Sequence, residues 1–149
     1  MWNIIKPLFL NLSLKKENFM PYDKKVLIDY RIQRARETVR EAEMSLKHNH
    51  FNLAENRIYY AMFYMVQALA VKHDFSTSKH ARLLGWFNKT FVRTGQIDPV
   101  LGKFYHSGFE KRQEGDYQDF LTFPKDEVEN DLPNMIRFLN AVEALIRTG

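Results

Sequence analysis

Residues 53–72 read LAENRIYYAMFYMVQALAVK, and from Tyr59 to Val71 only Gln67 interrupts an apolar run of thirteen residues. At 3.6 residues per turn, Leu53, Ala54, Ile58, Tyr59, Tyr60, Ala61, Met62, Phe63, Tyr64, Met65, Val66, Ala68 and Leu69 fall on every side of a helix. Crossing a bilayer takes about 20 apolar residues, so this stretch is too short to span one. A helix that is apolar nearly all round has to be enclosed by protein, which makes this one the central rod of a core. Asn52, with Glu55 three residues on, has the spacing of a capping box and predicts a start at Leu53 and an end near Lys72.

The flanking segments supply the enclosure. Between Asp23 and Lys47, Ile28, Ile32, Ala35, Val39, Ala42 and Leu46 recur at steps of 4, 3, 4, 3 and 4, a stripe down one side of a helix, with Asp23 as its cap. Val128, Leu132, Met135, Leu139, Val142 and Ile146 repeat the same steps near the other end. Pro133 falls inside that stripe and predicts a kink there or a start near Asp131. Ser76, Thr77 and Ser78 offer cap hydroxyls to a helix over about Lys79 to Arg93, closed by Thr94-Gly95. Asp98-Pro99 restarts a helix that reaches Gly115 or Tyr117. No β-branched run bounded by hairpin turns occurs. The fold class is all-α, an up-and-down bundle of four to five helices.

The chain has 149 residues, 45% apolar and 27% charged, which suits one globular domain. It contains no cysteine, which excludes disulfides, thiolate metal sites and cysteine nucleophiles and agrees with a cytoplasmic location. Residues 1–19 are read as an appended arm, and residues 20–149 as the domain. The net charge is +4, but the arm holds Lys6, Lys15 and Lys16 against Glu17, leaving 19 basic and 17 acidic groups in the domain. That is too small an excess to hold nucleic acid by general phosphate neutralisation, so any such contact must be a local patch. No phosphate-binding glycine loop, HExxH pair or nucleophile elbow occurs. His48 and His50 form an HxH without a third ligand, and no metal or other cofactor is implied.

Three segments together carry a resemblance: AENRIYYAMFYMVQAL (Ala54 to Leu69), SKH (Ser78 to His80) followed by FVRTG (Phe91 to Gly95), and RQEGDY (Arg112 to Tyr117). In this order they resemble the HEPN domain, in its small stand-alone prokaryotic branch, over residues 22–147. The resemblance implies a helical bundle that pairs as a homodimer. It also implies a ribonuclease or toxin role, opposite a minimal nucleotidyltransferase, and a motif in which histidine follows arginine after four to six residues. Arg112 matches the arginine, but five residues later stands Tyr117. A phenol with pKa near 10 keeps its proton at pH 7, whereas imidazole near 6.5 is poised to accept one.

Arg112 and Tyr117 are thus the candidate catalytic pair, with Arg112 as phosphate clamp and Tyr117 alternatively an acceptor for modification by the partner. Lys79 and His80 open a helix, where free N–H groups favour an anion, and join Arg112 as candidate nucleotide or RNA ligands. Arg57 is a further candidate, although a carboxylate such as Asp116 across the bundle offers it a structural pairing. Arg112 and Asp116, four apart, suit an ion pair along one helix. Tyr59, Tyr60, Phe63 and Tyr64 are assigned to the core. The expected function is a module that binds a nucleotide, RNA or a partner; the alternative is an active ribonuclease toxin, and a third reading is a scaffold.

Overall fold

A computed structural model describes residues 21–117 and 121–148, without the side chains of residues 21–22 and 115–117. The arm at residues 1–19 lies outside the described residues. Every regular element among them is helical: α1 (Pro21–Lys47), α2 (Phe51–Lys72), α3 (His80–Phe87), α4 (Pro99–Tyr117) and α5 (Lys125–Arg147). The last turn of α3 widens into a π-helix at Asn88–Val92, where the Arg93 N–H donates to the Asn88 carbonyl five residues back. Phe87 and Phe91, on either side of that junction, are both buried in the core.

Helix α2 packs against all four of the others, as its all-round apolar surface requires. Ala54, Ile58, Ala61, Met62, Met65, Val66, Ala68 and Leu69 are buried on it. From α1, Ile32, Ala35, Val39 and Ala42 of the expected stripe are buried, with Ile28 and Leu46 packed at its ends. From α5, Val128, Met135, Leu139, Val142 and Ile146 are buried together with Phe138. The Lys72 ammonium at the end of α2 donates to the carbonyls of Leu145, Ile146 and Thr148, satisfying the last turn of α5.

Several boundaries follow the local chemistry, and others depart from it. Pro99 is the first residue of α4, the Val100 N–H donates to Asp98 Oδ1 at 2.9 Å, and Gly95 takes the left-handed φ of 81°. Asp23 lies within the first turn of α1 rather than before it. Asn52 is not a cap: α2 begins one residue earlier, and the Asn52 amide clamps a distant loop instead. Its Nδ2 donates to the Leu121 carbonyl at 2.6 Å, and its Oδ1 accepts from the Phe123 N–H at 3.0 Å. Pro133 neither starts nor divides α5, which runs unbroken from Lys125, six residues before the expected start.

Glu55, expected in that capping box, is instead 4% exposed beneath α4 and α5. Lys111 lies 3.9 Å from its Oε1, 3.0 Å from Glu127 and in a hydrogen-bonded pair with Asp131. Burial first, then hydrogen bonding to Asp131 and that residue's charge, push the Glu55 carboxyl up to about 9, with Lys111 opposing only in part. Burial works against the Lys111 charge, but its partners outweigh burial and hold its pKa above the ordinary value.

A raised carboxyl pKa means that, from about pH 4.5 to 9, the folded chain keeps a proton the unfolded chain has lost. This group's contribution to stability is therefore largest below 4.5 and falls by up to about 1.4 kcal/mol per pH unit as pH rises towards 9. Glu55→Gln, which stays neutral, is expected to melt several degrees above the parent at pH 8 and level with it near pH 4.5. Parallel melting curves across that range would refute the assignment.

Candidate phosphate-binding site

Tyr59 is 1% exposed on α2, and its ring stacks on Tyr105 of α4 at 6.2 Å. A phenol so enclosed needs a polar partner. It finds one in His80, the first residue of α3, whose Nδ1 lies 2.7 Å from the Tyr59 hydroxyl. The imidazole is half-buried among rings, with Phe63 edge-on at 4.0 Å and Tyr60 at 5.7 Å. Burial raises the Tyr59 pKa well above its ordinary value, so the phenol keeps its proton.

Arg112 reaches the same rings from α4. Its guanidinium carbon lies 5.8 Å from the centre of the Tyr59 ring and 5.5 Å from that of Tyr60, within the range of cation–π attraction. Arg57, one turn before Tyr60 on α2, approaches the Tyr60 ring at 5.1 Å. Burial first, and the charge of Arg112 second, lower the His80 pKa below 6.5. At neutral pH the imidazole is uncharged and sits beside the Arg112 guanidinium, with Arg57 approaching the same Tyr60 ring. Such a set can bind an anion through the two cations, while the imidazole accepts or donates one further hydrogen bond.

The structure thus brings together three of the candidates, Arg57, His80 and Arg112, around Tyr59 and Tyr60. Lys79 is exposed just before α3, where its backbone N–H donates to Thr77 Oγ1 at 3.1 Å. The side chains of Asp116 and Tyr117 lie outside the described residues. Among the described residues, Arg57 pairs with Glu41 of α1 at 3.4 Å and donates to Asn56 Oδ1 at 2.7 Å. His106, six residues before Arg112, is taken up by Glu110 at 2.9 Å.

Two of the residues assigned to the core are only half-buried. Tyr59 and Phe63 are enclosed, but Tyr60 and Tyr64 lie on the open side of α2. Arg57, Tyr60, Tyr64 and Gln67 follow one another at steps of 3, 4 and 3, a side that carries a polar atom at each position. That spacing was the available signal, and the aromatic character of the two tyrosines concealed it.

The family model described as the HEPN domain matches residues 28–145, which span Arg57, Lys79, His80, Arg112 and Tyr117. The chain belongs to the HEPN family. It is 42% identical over 124 residues to a protein of Thermotoga maritima named "UPF0332 protein", covering 83% of this chain and 94% of that one. It is 31% identical over 109 residues to a Methanocaldococcus jannaschii protein named "Putative toxin MJ0142", covering 73% of this chain and 74% of the relative. A second protein of that organism, "Putative toxin MJ0605", is 28% identical over 86 residues, 58% of this chain and 64% of its own. The helical bundle agrees with membership of the family. Among the described residues of this HEPN protein, no helix is long and apolar enough to cross a membrane.

The site geometry makes a prediction that needs no ligand. Followed by NMR, His80 is expected to titrate below 6.5, and Arg112→Gln is expected to move it upward by removing the nearby positive charge. A His80 pKa unchanged by that substitution would mean that the two groups do not share a site.

Proposed function

We propose that this HEPN protein binds the phosphate of a nucleotide or RNA at the Arg112–His80–Arg57 cluster, as part of a toxin–antitoxin system. The observation that carries the reading is the convergence on Tyr59 of Arg112 and His80, two residues 32 apart in the chain and on different helices. Arg112 is the phosphate clamp, Arg57 a second cation, and Lys79 an exposed charge at the rim. Two relatives bearing a toxin name support the toxin–antitoxin setting. In that setting the protein acts in the cytoplasm as a homodimer, opposite a minimal nucleotidyltransferase for which the Tyr117 hydroxyl is the candidate acceptor.

One observation favours ribonuclease activity as a second reading. The neutral His80 imidazole beside Arg112 restores the base–cation pair that Tyr117, in place of histidine, takes from the motif. In that reaction the ribose 2′-oxygen attacks phosphorus, its proton passes to the imidazole and Arg112 offsets the growing negative charge. The bond to the 5′-oxygen breaks, that oxygen takes a proton (the Tyr117 phenol is the candidate donor), and a cyclic phosphate remains.

Labelled RNA followed by fluorescence anisotropy tests the binding, with growth and total RNA followed on expression. Arg112→Gln is expected to weaken binding at least tenfold with little change in melting temperature. A wild-type chain that binds neither nucleotide nor RNA would overturn the proposal. Growth arrest that requires both Arg112 and His80, with fragments ending in cyclic phosphate, would establish the second reading. Binding without cleavage leaves the first.

A further inference from the structure

Beyond the Arg112 cluster, the open side of α2 continues as a ladder of rings and guanidinium groups. The Tyr60 and Tyr64 rings lie 5.9 Å apart, with Arg57 over Tyr60 at 5.1 Å and Arg34 of α1 over Tyr64 at 5.2 Å. Glu41 of α1 sits between the two cations, its Oε1 3.4 Å from Arg57 Nη1 and 3.8 Å from Arg34 Nη1. Its carboxylate is about half exposed, at 46%, and both contacts are longer than a charge-assisted hydrogen bond. Exposed pairs of this kind hold weakly. An anion that makes shorter, better-aligned contacts to the same two guanidinium groups can take the place of Glu41.

We infer that this face is a track for single-stranded RNA, in which Tyr60 and Tyr64 stack bases and Arg34 and Arg57 take a backbone phosphate in the position Glu41 now fills. The inference rests on the phosphate-binding reading of Arg112 and extends it from one phosphate to several nucleotides. Aromatic faces alternating with cations are what sequence-tolerant binding of single strands needs, since every base has a face to stack and every linkage a charge to neutralise. From Arg57 to Gln67 the helix rises about 15 Å, room for about four stacked nucleotides at about 3.4 Å each. A duplex does not offer unstacked bases to the two tyrosines, so the track selects single strands. The near-neutral domain charge fits this arrangement, because three cations, Arg34, Arg57 and Arg112, form a local patch on this side of α2, two of them partly held by Glu41.

Anisotropy of a labelled eight-nucleotide RNA, the same strand in a duplex, and a labelled mononucleotide separates the two proposals. Glu41→Gln, which removes the competing carboxylate, is expected to tighten binding of the single strand severalfold, and by more than it tightens the mononucleotide, which gains Arg57 but not Arg34. Arg34→Gln is expected to weaken the single strand severalfold and to reduce the salt dependence by about one phosphate contact. Circular dichroism melts of both variants check that the bundle is intact. If Arg112→Gln weakens binding but Glu41→Gln and Arg34→Gln do not change it, the track is wrong and the Arg112 site stands. If duplex and single strand bind alike, the stacking role fails. If the two variants change sedimentation rather than RNA binding, the face is a contact between copies of the chain, which also overturns the track.

Discussion

A phenol buried in an apolar helix must have its hydroxyl satisfied, and Tyr59 meets that demand outside its own helix. The only polar group within hydrogen-bonding distance that the described structure gives it is His80 Nδ1. That bond ties the first residue of α3 to the middle of α2, while the Tyr59 ring stacks on α4. Three helices are thereby registered against one side chain. The consequence for chemistry is direct: the imidazole is held among rings, and the guanidinium of Arg112 reaches the same ring from α4. Removing the hydroxyl would free the histidine from the one side-chain hydrogen bond that orients it among the described residues.

The same helix α4 divides two kinds of charge between adjacent residues. Lys111 turns to Glu55, Asp131 and Glu127, where the Asp131 and Glu127 carboxylates hold it as a structural ion beside the protonated Glu55. Arg112, about 100° further round the helix, turns to the tyrosines. An ammonium suits the first place, because it can gather several carboxylates about one point. A planar guanidinium suits the second, because it can lie against aromatic faces and still present N–H groups to an oxyanion.

Much of the architecture was legible before any coordinates. The 4-3-4-3-4 stripes of α1 and α5 are strong because each apolar residue has one side to face, and the all-round apolar character of α2 leaves it no place but the centre. Asp98-Pro99 and Gly95 were legible because their backbone chemistry is local. Asn52 was misread because its amide satisfies a loop 69 residues away, a demand that local spacing does not express. The start expected near Asp131 was misplaced because a proline about two turns into a helix removes a single hydrogen bond, which the packing of Val128 and Asp131 before it outweighs. Glu55 carried no sign of burial, since the Lys111 and Asp131 that accompany it come from other helices.

The site was legible as a list of residues and illegible as an arrangement. Arg112 stands out through its motif, and Tyr117 through the histidine it displaces, but the pairing of Arg112 with His80 depends on how α3 crosses α2. That crossing changes what the missing histidine means. In the motif the base and the cation lie on one helix, and their separation is set by its rise. Here the imidazole beside Arg112 comes from the start of α3, held by a phenol on α2, so its position depends on the packing of three helices in a single chain. An imidazole held this way has its ring fixed by Tyr59 and its basicity lowered by burial and by Arg112. Those are conditions for holding a phosphate with a neutral donor or acceptor, and they make any proton transfer depend on the Tyr59 hydrogen bond as much as on His80 itself.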